Sequence, residues 1–135
     1  MINYPPKILL AFGEAVNENK DLYNWLLKNG YPELAALASA IQCSDDAIKW
    51  LLNNKYAHYA ALSYAIFDDQ KAKKWLKLHK YQFLLIIAEA SMGDKKAHSW
   101  LKANNLEIFS IVCNNIDKFR RRKLNDLSDY HKFHL

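Results

Sequence analysis

Residues 47–56 read AIKWLLNNKY, and the phrase returns as LYNWLLKNGY at 22–31, AKKWLKLHKY at 72–81 and AHSWLKANNL at 97–106. Its tryptophans are Trp25, Trp50, Trp75 and Trp100, spaced by 25 residues each time. Leu26, Leu51, Leu76 and Leu101 follow them directly. Ala15, Ala40, Ala65 and Ala90 stand ten residues before, and Tyr31, Tyr56, Tyr81 and Leu106 six residues after. A period of roughly 20–50 residues marks stacked supersecondary units, none of which buries its apolar face alone.

Each unit holds two short helices. The first opens at Asn19, Ser44, Asp69 or Asp94, residues whose side chains cap helix N-termini. Asp21, Asp45 and Asp46 follow in two copies, where the helix dipole favours negative charge. Apolar residues then fall three and four apart (Ala47, Trp50, Leu51; Ala72, Trp75, Leu76), a narrow stripe that lays this helix on the outside of a core. It ends at Asn29-Gly30, Asn54-Lys55, His79-Lys80 and Asn104-Asn105, where Gly and Asn suit the left-handed closing residue.

The second helix follows the Tyr slot, and Pro32 sits where a first-turn proline belongs. PELAALASAIQ, AHYAALSYAIF, QFLLIIAEASM and EIFSIVCNNID are apolar over most of their circumference, so these helices are packed on several sides. A lone helix from Pro6 to about Asn17 would cap the stack. The expected fold is all-α: a right-handed α-solenoid of about four helix-pair repeats plus this N-terminal capping helix. Residues 1–123 form the one repeat domain and 124–135 an irregular tail. The absence of Thr and the two valines, Val16 and Val112, agree with helix over sheet.

The run SAIQCSDDAIKWLL resembles the helical part of ankyrin repeats: small residues, a turn, then a helix ending in bulky apolar residues. Gly93-Asp94 matches a frequent ankyrin boundary. The period is about 8 residues shorter than the ankyrin 33, and neither the Thr-Pro-Leu-His signature nor a β-hairpin segment is present. The resemblance is to helix-pair repeat proteins in general, with no characterised family matched. It implies partner binding without catalysis.

The four tryptophans are expected to lock the first helix of each pair onto the second, so that Trp→Ala would cost about 3–5 kcal/mol. His58, His79 and His98 occupy different slots and are not expected to share a face; His131 and His134 lack the ligand partners of a zinc site. No metal or other cofactor is expected. Cys43 and Cys113 lie almost three repeats apart, beyond disulfide reach, and read as free thiols of a reducing compartment. With three glycines there is no phosphate-cradling loop, and Glu14 and Glu89 share a slot three units apart, so no enzyme is expected.

Two surfaces remain as binding candidates. One is the ridge of the second helices, where slots vary between copies: Ser39, Tyr64, Phe67, Gln82 and Glu89, with Tyr64 and Phe67 as an exposed aromatic spot. The other is basic. Residues 1–67 carry five lysines against six acids, whereas 68–135 carry fourteen basic residues against eight acids. Lys118, Arg120, Arg121, Arg122 and Lys123 stand together and could hold an anion or phosphate. The expected function is a cytoplasmic scaffold that binds another protein, with nucleic acid or ribonucleoprotein as the alternative partner. A membrane is not expected: the longest stretch without charge, 56–67, is far below the ~20 residues of a span.

Overall fold

The computed structural model describes residues 1–134, with side chains for residues 1–126. Among them are nine α-helices and no strand: α1 (Pro6–Val16), α2 (Lys20–Lys28), α3 (Pro32–Ile41), α4 (Asp45–Asn53), α5 (Ala57–Ala65), α6 (Gln70–Leu78), α7 (Gln82–Ser91), α8 (Lys95–Ala103) and α9 (Glu107–His134).

The helix ends are as local as the repeat implies. Asn19, Ser44, Asp69 and Asp94 accept from the backbone N–H of Leu22, Ala47, Ala72 and Lys96 at 2.9–3.2 Å. Gly30, Lys55, Lys80 and Asn105 take left-handed φ of 87°, 68°, 64° and 58°. The next residue, in the Tyr slot, then donates its N–H five residues back: Tyr31 to Leu26, Tyr56 to Leu51, Tyr81 to Leu76, and Leu106 to Leu101. That is the Schellman closure, whose outer position favours a large apolar residue. A second left-handed series, Glu18, Cys43, Asp68 and Gly93, closes α1, α3, α5 and α7 the same way, so each N-cap residue also ends the preceding helix.

At Lys55 and Lys80 a side chain in this conformation costs roughly 1–2 kcal/mol, while Gly would enlarge the unfolded ensemble by about 0.4–1 kcal/mol. Lys55→Gly and Lys80→Gly are therefore each expected to stabilise the fold by about 0.5–1 kcal/mol in urea denaturation. A lower midpoint for both would show that these lysines contribute contacts worth more than their strain.

Packing sorts the helices into two sets. α2 lies against α1 and α3, α4 against α3 and α5, α6 against α5 and α7, and α8 against α7 and α9. The odd-numbered helices pack in series from α1 to α9, and α9 returns to α1. The first helix therefore does more than cap one end. Leu9, Phe12, Leu37, Ile41, Leu62, Ile66, Ile87, Phe109 and Ile116 are buried within this inner set.

The α1–α9 contact explains where the repeat departs from itself. Asn115 occupies the slot of the buried alanines, and a Cβ on Gly13 would lie 3.2 Å from its Nδ2. Asn17 Nδ2 donates to the Asn115 carbonyl at 2.6 Å, and Arg122 donates to Asn17 Oδ1 at 2.7 Å. Residues 124–134, expected as an irregular tail, instead continue α9. After Gly93 the chain has no Gly or Pro to stop it, and RRRKL is made of strong helix formers.

The tryptophans are not the knobs that the pattern suggests. Leu26, Leu51, Leu76 and Leu101 are all 0% exposed, whereas Trp25, Trp50 and Trp75 are half-buried and Trp100 is 42% exposed. The Leu position points into the seam between two inner helices. The Trp beside it covers the edge, Trp50 stacking on Tyr56 at 6.1 Å and Trp75 on Tyr81 at 5.8 Å.

Candidate interaction surface

Each even-numbered helix lies over a seam between two inner helices, so the outward stripe of an inner helix becomes the floor of a groove. The groove between α4 and α6 is mostly apolar. Ala57, Ala61 and Tyr64 of α5 form its floor, Ile48 and Leu52 one wall, and Lys71 and Trp75 the other, around a volume of about 410 Å3. Leu52 is 54% exposed and Tyr64 48%. Ile48 and Leu52, four apart and beside the stripe of Ala47, Trp50 and Leu51, are the signal in the sequence that could have found this wall.

The expected ridge is divided by this arrangement. Tyr64 lies in the α4–α6 groove, but Ser39 lies in the preceding one, with Leu27, Ala36 and Trp50. Packing of α6 on both α5 and α7 puts Gln82 and Glu89 of α7 beyond α6. Gln82 is exposed and Glu89 half-buried. Phe67 corrects its expectation: it is half-buried and packs against the core, so it adds no exposed aromatic beside Tyr64.

The basic cluster is divided as well. Arg120 Nε donates to the Ile66 carbonyl at 3.0 Å, tying α9 to the end of α5. Its guanidinium lies 3.8 Å from the buried Asp117 carboxylate, and that of Arg121 lies 3.2 Å from it. Arg122 is held by Asn17 and lies over the Phe119 ring at 5.8 Å. Lys118 is exposed on α9. Lys123 lines a polar cavity of about 790 Å3 with Lys20 and Arg122, where Glu18 and Asp126 offset their charge.

Opposite this end, aromatic rings are in continuous contact. His58 stacks on Tyr81 at 4.9 Å, Tyr81 on Trp75, and Trp75 meets His79 at 4.2 Å. Two histidines from different slots thus share one stack, contrary to the sequence reading. Tyr81 lies between His58 and Trp75, so the stack braces neighbouring helix pairs, while His79 at its end is exposed. Burial lowers the His58 pKa, with the N-terminal amine adding to the effect. His98 is held in place by Ser110 Oγ at 2.7 Å and the Ala90 carbonyl at 2.8 Å. Among the described residues no group of three His, Cys, Asp or Glu side chains could hold a metal ion. Nor is any helix among them long and apolar enough to cross a membrane.

Beside the stack, Tyr4 donates to the buried Glu33 carboxylate at 2.8 Å and accepts from Tyr59 at 3.5 Å. Burial, and then these hydrogen bonds, raise the Tyr4 pKa well above its ordinary 10.0; burial also raises that of Tyr59. Burial pushes the Cys113 thiol from 9.0 up to about 12. In each case the folded state holds its proton more tightly than the unfolded state, so this stability is complete below the unfolded pKa and is lost as pH rises past it. Urea midpoints should fall from about pH 9 and more steeply above 10, and Tyr4→Phe should flatten the upper part. A flat profile to pH 11 would contradict the burial of these groups.

No protein-family model matches the chain, and no curated protein or solved structure is significantly similar to it.

Proposed function

We propose that the protein is a non-catalytic scaffold that binds another protein, using the groove between α4 and α6. In this reading the helix pairs are repeats of a right-handed α-solenoid that turns far enough for α9 to reach α1. Rigid helices then present shaped apolar clefts, the use to which solenoid surfaces are commonly put. The observation that carries the proposal is the exposure of Leu52 and Tyr64 on a groove whose other walls are Ile48 and Trp75. Contiguous exposed apolar area of this kind marks interaction sites, and aromatic side chains are favoured anchors in them. The exposed Cys43 and buried Cys113 suit a reducing, cytoplasmic setting.

The test is affinity capture from native lysate with the wild-type chain and Leu52→Glu, each with and without nuclease. We expect a protein that survives nuclease and moderate salt and that Leu52→Glu releases by tenfold or more, on the order of a hot-spot loss. Loss of every partner on nuclease treatment, with Leu52→Glu behaving as wild type, would overturn the reading in favour of nucleic acid held by the basic half.

A further inference from the structure

We propose that the α4–α6 groove takes an acidic amphipathic helix, its apolar side chains seated over α5 and its carboxylates against α6. The inference rests on the protein-binding reading of that groove and adds the chemistry of the partner.

The charge comes from α6. Lys71, Lys74, Trp75 and Leu78 recur at i, i+3, i+4 and i+7, which places them on one face of this helix. Lys71 and Trp75 line the groove, and Leu78, the next residue along that face, is 78% exposed. Helix α6 contains no acidic residue. The two acids before it are already engaged: Asp69 caps the helix, and Asp68 binds Lys73 and has its pKa lowered by that pairing. Lys71, Lys74 and Lys77 are exposed and make no salt bridge among the described residues. On the α6 side of the groove the exposed Lys71, Lys74 and Lys77 thus outnumber the one lining acid, Asp69, and this surplus selects a partner of opposite charge and disfavours a basic one.

The partner's conformation follows from the lining. Tyr64, Asp69 and Lys71 are the only polar side chains on a surface that is otherwise Ala, Ile, Leu and Trp. An extended segment would lay backbone N–H and C=O groups on walls with nothing to pair them. A helix satisfies those groups internally and offers its side chains at the same i, i+3, i+4 spacing. Walls of nine residues match a partner helix of about two to three turns. Nucleic acid would use the lysines but leave Leu52 and Leu78 unpaired.

The experiment is a display selection of random 16-residue peptides on the full-length protein, with binding of the winners measured by fluorescence anisotropy. A labelled oligonucleotide of about 20 nucleotides is a parallel probe. We expect winners with apolar residues at i, i+3 or i+4, and i+7 and a surplus of Asp and Glu. Leu52→Glu and Lys71→Glu/Lys74→Glu should each weaken them by tenfold or more, and the second loss should shrink at high salt. Winners that need Leu52 but are neutral or basic would overturn the acidic helix and leave the protein-binding groove standing. If no winner depends on Leu52, both readings fall. If no acidic peptide is selected and the oligonucleotide binds through Lys71 and Lys74, the face belongs to nucleic acid.

Discussion

A chain ending at Leu106, without α9, is expected not to fold. The helix supplies a packed side to α1, α7 and α8 at once. Its removal strips away Phe109, Val112, Ile116 and Phe119, all buried. At about 1.5–3 kcal/mol for each such side chain, that is roughly 6–12 kcal/mol, comparable to the 5–15 kcal/mol that holds a whole domain together. It also leaves Gly13 and the buried face of α1 open to water. In an open repeat stack, stability is close to a sum of units and neighbour interfaces, so loss of the last unit would shorten the protein and leave the rest helical. Circular dichroism and size-exclusion chromatography separate the two outcomes. Collapse of the helical signal, or aggregation, supports the α1–α9 closure. A monomer retaining seven or eight helices' worth of signal would show that the closure contributes little. A milder probe is Gly13→Leu, whose side chain must displace Asn115; it should cost about 1–3 kcal/mol by overpacking.

Leu51→Ala and Leu52→Ala should differ sharply although the residues are adjacent and identical. Leu51 is 0% exposed and Leu52 is 54% exposed. Truncating the first removes its transfer energy and leaves a cavity that rigid helices cannot close, so we expect a loss of about 2–5 kcal/mol. Truncating the second leaves only a shallower surface, and its effect should stay within about 0.5 kcal/mol. Guanidinium denaturation of the two variants measures the contrast directly. Equal losses would mean that Leu52 is packed more tightly than its exposure shows, and would remove it as a binding probe. The expected split makes Leu52 useful: it reports on the groove without threatening the fold.

Leu51 and Leu52 also show how much of the packing is legible in the sequence. Helical spacing placed Leu51 on the buried stripe, and the structure agrees. It could not rank Leu51 against Trp50 on that stripe. The Trp looked like the anchor because it is large and recurs, yet the smaller Leu fills the narrow seam and the indole lies over its rim. Tyr64 is exposed, as its slot in the repeat predicts. Phe67 was not so legible, because it follows α5 in a turn whose direction depends on what it packs against. Arg120 and Arg121 looked like part of an anion site until the position of the Ile66 carbonyl and Asp117 was known.

What the sequence determined by itself is local. Helices, caps and left-handed closures involve hydrogen bonds between residues at most about five apart, so each is decided by the few side chains it contains. The period of 25 residues multiplied those local decisions into the nine helices and all-α architecture of the described residues. Only the tertiary structure decided that α1 meets α9. The bond from Asn17 to Asn115 spans 98 residues, and whether those ends meet depends on the summed packing of every helix between them. No single residue encodes that sum. Gly13 and Asn115 carry its trace as departures from the repeat, and they become intelligible once the two helices are side by side.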